Sequence, residues 1–406
     1  MKKLNLNQKA LQSGLVAMFV AMVWSGNALA AEPVVGGDVP GTFKLPGTDT
    51  SVGFYGYLEF DASKDFKASN SGTAGYFDGG SIGITGDPSA VNTDSRKGVM
   101  NMTASTSRFG FKSYTPTDIG KITTKLEGDF MGTSGTVFRL RHAFGVLDAD
   151  WGSVLAGQTD TLFKSPEAVP ETLDFNGSGT YVSLRKPQVR YTTAPSAVGT
   201  FGVSMEMPAY SSTAVTNSIV KAPALAAAWI KTGSLGSVSV RALANQIAYE
   251  TKATTTTDST SKTKYGAAGS VAGVLKLGGS DNILAIVTAG KGISQYVEAA
   301  NYNPEAVINS EIKMPSVTAG SLGWAHSWTP KWRSTLSYGI AKMSTDAGDY
   351  TSTVNNKRVD AGFLNAIYQA TSKFYVGVEL GVGKRELSDG TSGKLDRIST
   401  ALHYDF

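Results

Sequence analysis

The chain has 406 residues, 46 of them glycine, with 37 Lys and Arg against 33 Asp and Glu, three histidines and no cysteine. The lack of cysteine excludes thiol catalysis, cysteine metal sites and disulfide staples, and His142, His326 and His403 are too far apart in sequence to suggest a metal pair. The formal charge of +4 falls to about +1 once Lys2, Lys3 and Lys9 leave with an N-terminal leader, which removes the main support for a nucleic-acid partner.

Residues 1–30 read as a secretory signal: a basic start, a short apolar stretch from Leu15 to Trp24, and the small-x-small sequence Ala28-Leu29-Ala30, so that the mature chain is expected to begin at Ala31. The apolar stretch is shorter than the about 20 residues a membrane helix needs. Residues 31–49 are rich in Gly and Pro, show no heptads, and read as a periplasmic lead-in. From residue 50 to 406 the chain alternates between two kinds of segment. Strands of roughly ten residues are expected near 51–61, 108–113, 121–131, 138–147, 153–160, 187–194, 200–208 and 221–232. Eight more follow near 237–249, 264–277, 282–291, 316–327, 332–343, 358–369, 373–386 and 394–406.

The last strand shows the pattern most clearly. Ile398, Thr400, Leu402, Tyr404 and Phe406 fall on one face and Arg397, Ser399, Ala401, His403 and Asp405 on the other. A helical reading places Leu395, Ile398 and Leu402 together but leaves Tyr404 and Phe406 unexplained. Seven short turns alternate with eight loops, most of them longer, and both ends of the chain fall on the short-turn side. An even number of antiparallel strands with this asymmetry is the pattern of a transmembrane β-barrel, all-β and sixteen-stranded, in a Gram-negative outer membrane. Trp151, Trp229, Trp324, Trp328 and Trp332 each lie near a short turn, as an interfacial aromatic girdle requires.

Four stretches carry family character: FKLPGTDTSVGFYGYLEFDA (43–62), SRFGFKSYTPTDIGKITTKLEGDF (107–130), FRLRHAFGVLDADWGSVLAGQTDTLF (138–163) and DFNGSGTYVSLRKPQVRYT (174–192). They resemble the DcaP-like porins, and the closing strand resembles that of outer-membrane barrels generally. The resemblance is good over 43–192, loose over 209–390, and returns at the closing strand. It implies a homotrimeric channel taking up dicarboxylates and related aromatic acids, with no cofactor. It also implies that Phe406 is read by the barrel-assembly machinery, and that the loop after the fifth strand, about 161–186, folds inward. That loop carries Lys164, Glu167, Glu171, Asp174, Arg185 and Lys186, so it can present either sign, and its Gly177-Ser178-Gly179 suits a fold-back.

With lipid outside, the polar face of each strand must look into the lumen. The face rule names Arg108 and Lys112 on the second strand, Lys125, Glu127 and Asp129 on the third, Arg139 and Arg141 on the fourth, Arg190 on the sixth and Arg241 on the ninth. Arg333, Glu379, Arg385 and Arg397 follow on later strands. A wall of guanidinium groups attracts anions and grips carboxylates in pairs of hydrogen bonds. A balanced wall competes, in which the arginines pair with Glu127, Asp129, Glu59 and Asp61. A general porin and a plugged structural or adhesive barrel remain as other functions. Catalysis is not expected: His142 and His326 fall on the outward parity without a patterned serine, and Gly278-Gly279 lacks the Lys-Ser/Thr of a phosphate loop.

Overall fold

Alternation of apolar and polar residues at period two gives strands whose two faces meet different solvents, and the structure builds sixteen of them. The computed structural model describes residues 35–67, 76–84, 98–132, 137–210, 217–250, 260–308, 310–344 and 355–406. The expected leader at 1–30 and start at Ala31 lie outside these residues, as do parts of the loops expected over 62–99, 250–263 and 344–357. The barrel strands are β1 (Ser51–Asp65), β2 (Arg108–Thr117), β3 (Gly120–Asp129), β4 (Arg139–Ala149), β5 (Gly152–Asp160), β6 (Arg185–Thr193), β7 (Thr200–Glu206) and β8 (Ala224–Gly233). They continue as β9 (Gly236–Glu250), β10 (Ser261–Gly278), β11 (Asp281–Lys291), β12 (Ser316–Ser327), β13 (Trp332–Ser344), β14 (Asn356–Thr371), β15 (Phe374–Leu387) and β16 (Ser392–Asp405).

Each strand pairs antiparallel with the next. The ring closes where β16 pairs with β1, from Tyr57 opposite Asp405 to Asp65 opposite Arg397. Closure leaves no sheet edge in the hydrocarbon, where an unpaired backbone group would have no water. Outward positions at mid-strand are apolar and open: Leu58 is 61% exposed, Val287 60% and Leu380 54%. A skin of this kind has its solvent in lipid. Its tryptophans stand at the turn side as expected. Trp324 and His326 share the Asp281 carboxylate, at 2.7 and 2.8 Å, while the Trp229 indole donates to the Val198 carbonyl at 2.9 Å.

One parity expectation is corrected. Across β3 and β4, Glu127 faces His142 while Gly128 faces Leu140, so Arg141 is an extra residue in a β-bulge. Because of it both Arg141 and His142 point inward. His142 meets Thr159 Oγ1 at 2.9 Å, with Glu127 at 3.8 Å, and does not face lipid.

Three segments fill the loop-side half of the lumen. They are 161–184 between β5 and β6, and two whose sequence reads as ordinary loop, 76–84 and 292–308. Phe77 and Ile82 pack on Phe363 and Leu395, while Phe163, Val182, Tyr296 and Val297 join a second apolar cluster. The inner faces of the receiving strands are kept small for them. A Cβ on Gly339 would sit 2.2 Å from Thr180 Oγ1, and one on Gly377 would sit 2.7 Å from Leu173.

Candidate functional site

The segment 161–184 crosses the lumen because side chains on the far wall pin it. Arg241 on β9 holds its first turn, donating to the Leu162 carbonyl, to Ser165 Oγ, and to both oxygens of Glu167 at 2.9 and 3.1 Å. Arg333 on β13 grips Glu171 through two nitrogens, each at 2.9 Å from an oxygen. Glu379 on β15, 1% exposed, accepts the amide N–H groups of Leu173 and Asp174, both at 2.9 Å. Asp174 in turn accepts from the Phe77 amide at 2.7 Å and from Arg397 at 3.3 Å. Burial pushes the Asp174 carboxyl upward, against the opposing pull of Arg397 and the amides of Phe77 and Asn176.

The pinned segment leaves a cavity of about 740 Å³ between itself and the wall of β1, β2, β4, β6, β15 and β16. Arg108, Arg139, Arg141 and Arg185 line it, with Lys164 beside them. Phe175, at the tip of the segment, lies under three of these guanidinium groups, at 5.9, 5.9 and 5.7 Å from Arg108, Arg139 and Arg141. Tyr57 carries Arg108 on its other side at 5.1 Å.

The partners of these arginines decide the charge. Arg139 forms a two-pronged pair with Asp129 at 2.9 and 2.7 Å, and Arg141 bridges Glu127 at 3.1 Å and Asp129 at 2.8 Å. Lys125 also holds Glu127, at 3.0 Å. The balanced wall is therefore present for two arginines, but two carboxylates serve three cations. Arg108 and Arg185 have no carboxylate within salt-bridge distance among the described residues, and Arg108 Nε is buried without a hydrogen-bond acceptor. Glu59 and Asp61, expected as possible arginine partners, are engaged elsewhere. Glu59 accepts from His403 at 2.5 Å and Asp61 from Thr106 at 2.8 Å.

Other expected site residues stand apart from the cavity. Lys112 and Lys125 lie over the Tyr55 ring, at 4.6 and 5.4 Å. Arg190 donates to Gln188 and to the Asp160 carbonyl. Arg241 is 4% exposed and fully engaged with the loop, so it positions the constriction and does not face the cavity. Arg185 and Lys186, expected in the loop, are the first residues of β6, because the ladder with β5 already holds them opposite Asp160 and Thr159. The sequence reading missed Tyr57, Phe175, Tyr375, His403 and Glu298 as lining residues. Parity alone marked Tyr57 and His403 as inward; nothing local marked Glu298, which arrives on segment 292–308. Burial, with Asp78 and Asp174 nearby, pushes its carboxyl up to about 8.

A closed sixteen-stranded barrel with a lipid-facing skin and a loop drawn across a charged lumen defines an outer-membrane channel of the porin class. The family model for the DcaP outer membrane protein matches residues 42–406. The outer membrane channel DcaP of Acinetobacter baumannii aligns with a TM-score of 0.75 at 26% identity, over 92% of this chain and 100% of that one. OmpT of Vibrio cholerae (TM-score 0.59, 13% identity, 89% and 99% covered) and the anion-selective porin from Comamonas acidovorans (0.56, 12%, 88% and 100%) share the fold. No curated protein matches the sequence. The chain belongs to the DcaP outer membrane protein family, and its place is the Gram-negative outer membrane.

Proposed function

We propose that this porin favours small anionic solutes, dicarboxylates first among them, and works as a homotrimer whose strand β16, with Phe406 following it, is recognised during barrel assembly. One observation carries the selectivity: Arg108 lines the cavity with a buried Nε that has no acceptor, beside Arg185, which has no carboxylate partner among the described residues. A buried donor without an acceptor is costly, and an entering carboxylate supplies one. Two such guanidinium groups around one cavity suit a solute with two carboxylates, while Arg139 and Arg141 add field but have their hydrogen bonds largely committed. Binding at this site must stay weak for flux to continue.

The family membership supports the solute class, since the family resemblance links these porins to dicarboxylate uptake. A plugged barrel is the second reading, favoured by the three segments inside the lumen. The test is single-channel recording in chloride with succinate or acetate added. Succinate should interrupt the chloride current at lower concentration than acetate, and Arg108→Ala should weaken that block by about tenfold or more, the scale of a charge-assisted hydrogen bond. Equal block by both acids overturns the dicarboxylate preference, and a silent channel favours the plug.

A further inference from the structure

The outer wall carries charge where a lipid-facing wall would be expected to stay apolar. Along β13 to β16 the outward face begins on the turn side with Leu336, Leu364, Val378 and Leu402, all exposed to lipid. Toward the loop side the same face changes character. Cross-strand neighbours share a face, and the register sets Lys342 opposite Arg358 and Lys384 opposite Lys394. Like charges set directly opposite each other destabilise a sheet. Between the two pairs the register also sets Asp360 opposite Lys384 and Glu386 opposite Arg358, so one cation of each pair faces an acid and the other does not.

The acids of the wall serve only one cation of each pair. Asp360 is taken by Arg358, at 2.7 Å through two nitrogens, and by the Tyr338 hydroxyl. Asp396 holds Lys67 at 2.5 Å, and Glu386 is shared between Lys357 and Lys384 at 3.1 and 3.3 Å. Lys342 and Lys394 have no carboxylate partner among the described residues, so the patch keeps a net positive charge. On β7, β8 and β10 the outward positions toward the loop side include the uncharged Met205, Leu225 and Tyr265 instead.

The patch is also concave. A groove of about 490 Å³ runs between Lys384, Lys394 and Arg358 on one side and Tyr338 and Val382 on the other; Lys67, Asp360 and Asp396 also line it, so its charged end holds four cations against two carboxylates. It lies on the loop side, opposite the tryptophan girdle, and hence at the depth of the outer leaflet's headgroups. We propose that this groove seats a phosphate-bearing, acyl-chained glycolipid of the outer leaflet. Its phosphates sit between Lys384 and Lys394 and beside Lys342 and Arg358, and an acyl chain lies along Tyr338 and Val382. A phosphate at each like-charge pair removes the repulsion, and basic side chains at a membrane surface hold anionic headgroups in this way.

The full barrel, purified in detergent, is titrated with diphosphorylated hexa-acyl lipid A, with the dephosphorylated lipid, and with inorganic phosphate, with bound species counted by native mass spectrometry. The diphosphorylated lipid should bind, and the double variant K384A/K394A should bind it at least about tenfold more weakly. The variant's channel conductance should stay unchanged, because both lysines face away from the lumen. Equal binding of the dephosphorylated lipid, or displacement of the lipid by millimolar phosphate, would overturn the assignment, as would a conducting K384A/K394A barrel that binds like the wild type. The comparison of the two lipids on the wild-type barrel stands even where the double variant does not fold.

Discussion

Arg108 and Arg241 obey the same rule in the sequence, a cation on the polar face of an alternating strand, and the structure gives them opposite tasks. Arg108 stacks on Tyr57 and Phe175 and faces the cavity without a carboxylate; Arg241 ends in a two-pronged pair with Glu167 and anchors the constriction. Period-two parity fixes which side of the wall a residue takes, but not which partner waits there, since Glu167 approaches from 74 residues away. The bulge at Arg141 shows the other limit, because one extra residue reverses parity for everything that follows it in the strand. The pairing makes two substitutions separable. R108A/R185A removes uncompensated positive charge, so its ratio of anion to cation permeability should fall while the fold holds. R139A/R141A strips Asp129 of both its guanidinium partners and leaves Glu127 with Lys125 and the Tyr55 hydroxyl, so the lumen should turn toward cations, and the barrel should lose roughly 3 kcal/mol or more of stability from stranded buried charge. Planar-bilayer reversal potentials and thermal unfolding would check both, and unchanged selectivity in the two doubles would remove the arginine wall from the mechanism. Glu298 adds a pH dependence. Its carboxyl, raised by burial to about 8, is neutral in the fold below that pH. Stability it contributes relative to the unfolded chain is lost as pH climbs from the ordinary carboxyl range through about 8. Over the same rise a negative charge enters the cavity. Anion preference should therefore decline from pH 7 to pH 9, and E298Q should flatten that decline; the same slope in both proteins would exclude Glu298 as its origin.

At the scale of elements, the strands were legible and the contents of the lumen much less so. Sixteen alternating segments and their short turns could be read because period two and turn residues are local properties. The inward course of 161–184 came from family resemblance; its anchors join residues about 200 positions apart, such as Leu173 and Glu379. Segments 76–84 and 292–308 looked like ordinary loops. Their signal was present in Phe77, Ile82, Tyr296 and Val297, apolar residues that an exposed loop has little use for, but it named no destination. Two predictions belong here. E379A leaves the Leu173 and Asp174 amides buried without an acceptor, at about 1–3 kcal/mol each, and frees the tip of the constriction. G377V drives a side chain into Leu173. Both should raise single-channel conductance and its noise. Wild-type conductance in both would mean that the far-wall anchors do not set the width of the passage.

For the whole molecule, closure of the sheet explains why so few sequence features sufficed for the class. A barrel must be apolar outside, polar inside and paired all the way round, and those three demands write themselves on every strand. Selectivity is not imposed by that architecture; it depends on the sum of charges around one constriction, to which three separate inward segments contribute. The direct test of the central claim is the zero-current potential of the purified wild-type protein in a planar bilayer with a tenfold potassium chloride gradient. The positive excess at Arg108 and Arg185 predicts a reversal potential on the chloride side of zero. A potential on the potassium side would show that Glu171, Asp174 and Glu298 outweigh the arginines, and would contradict an anion-selective porin.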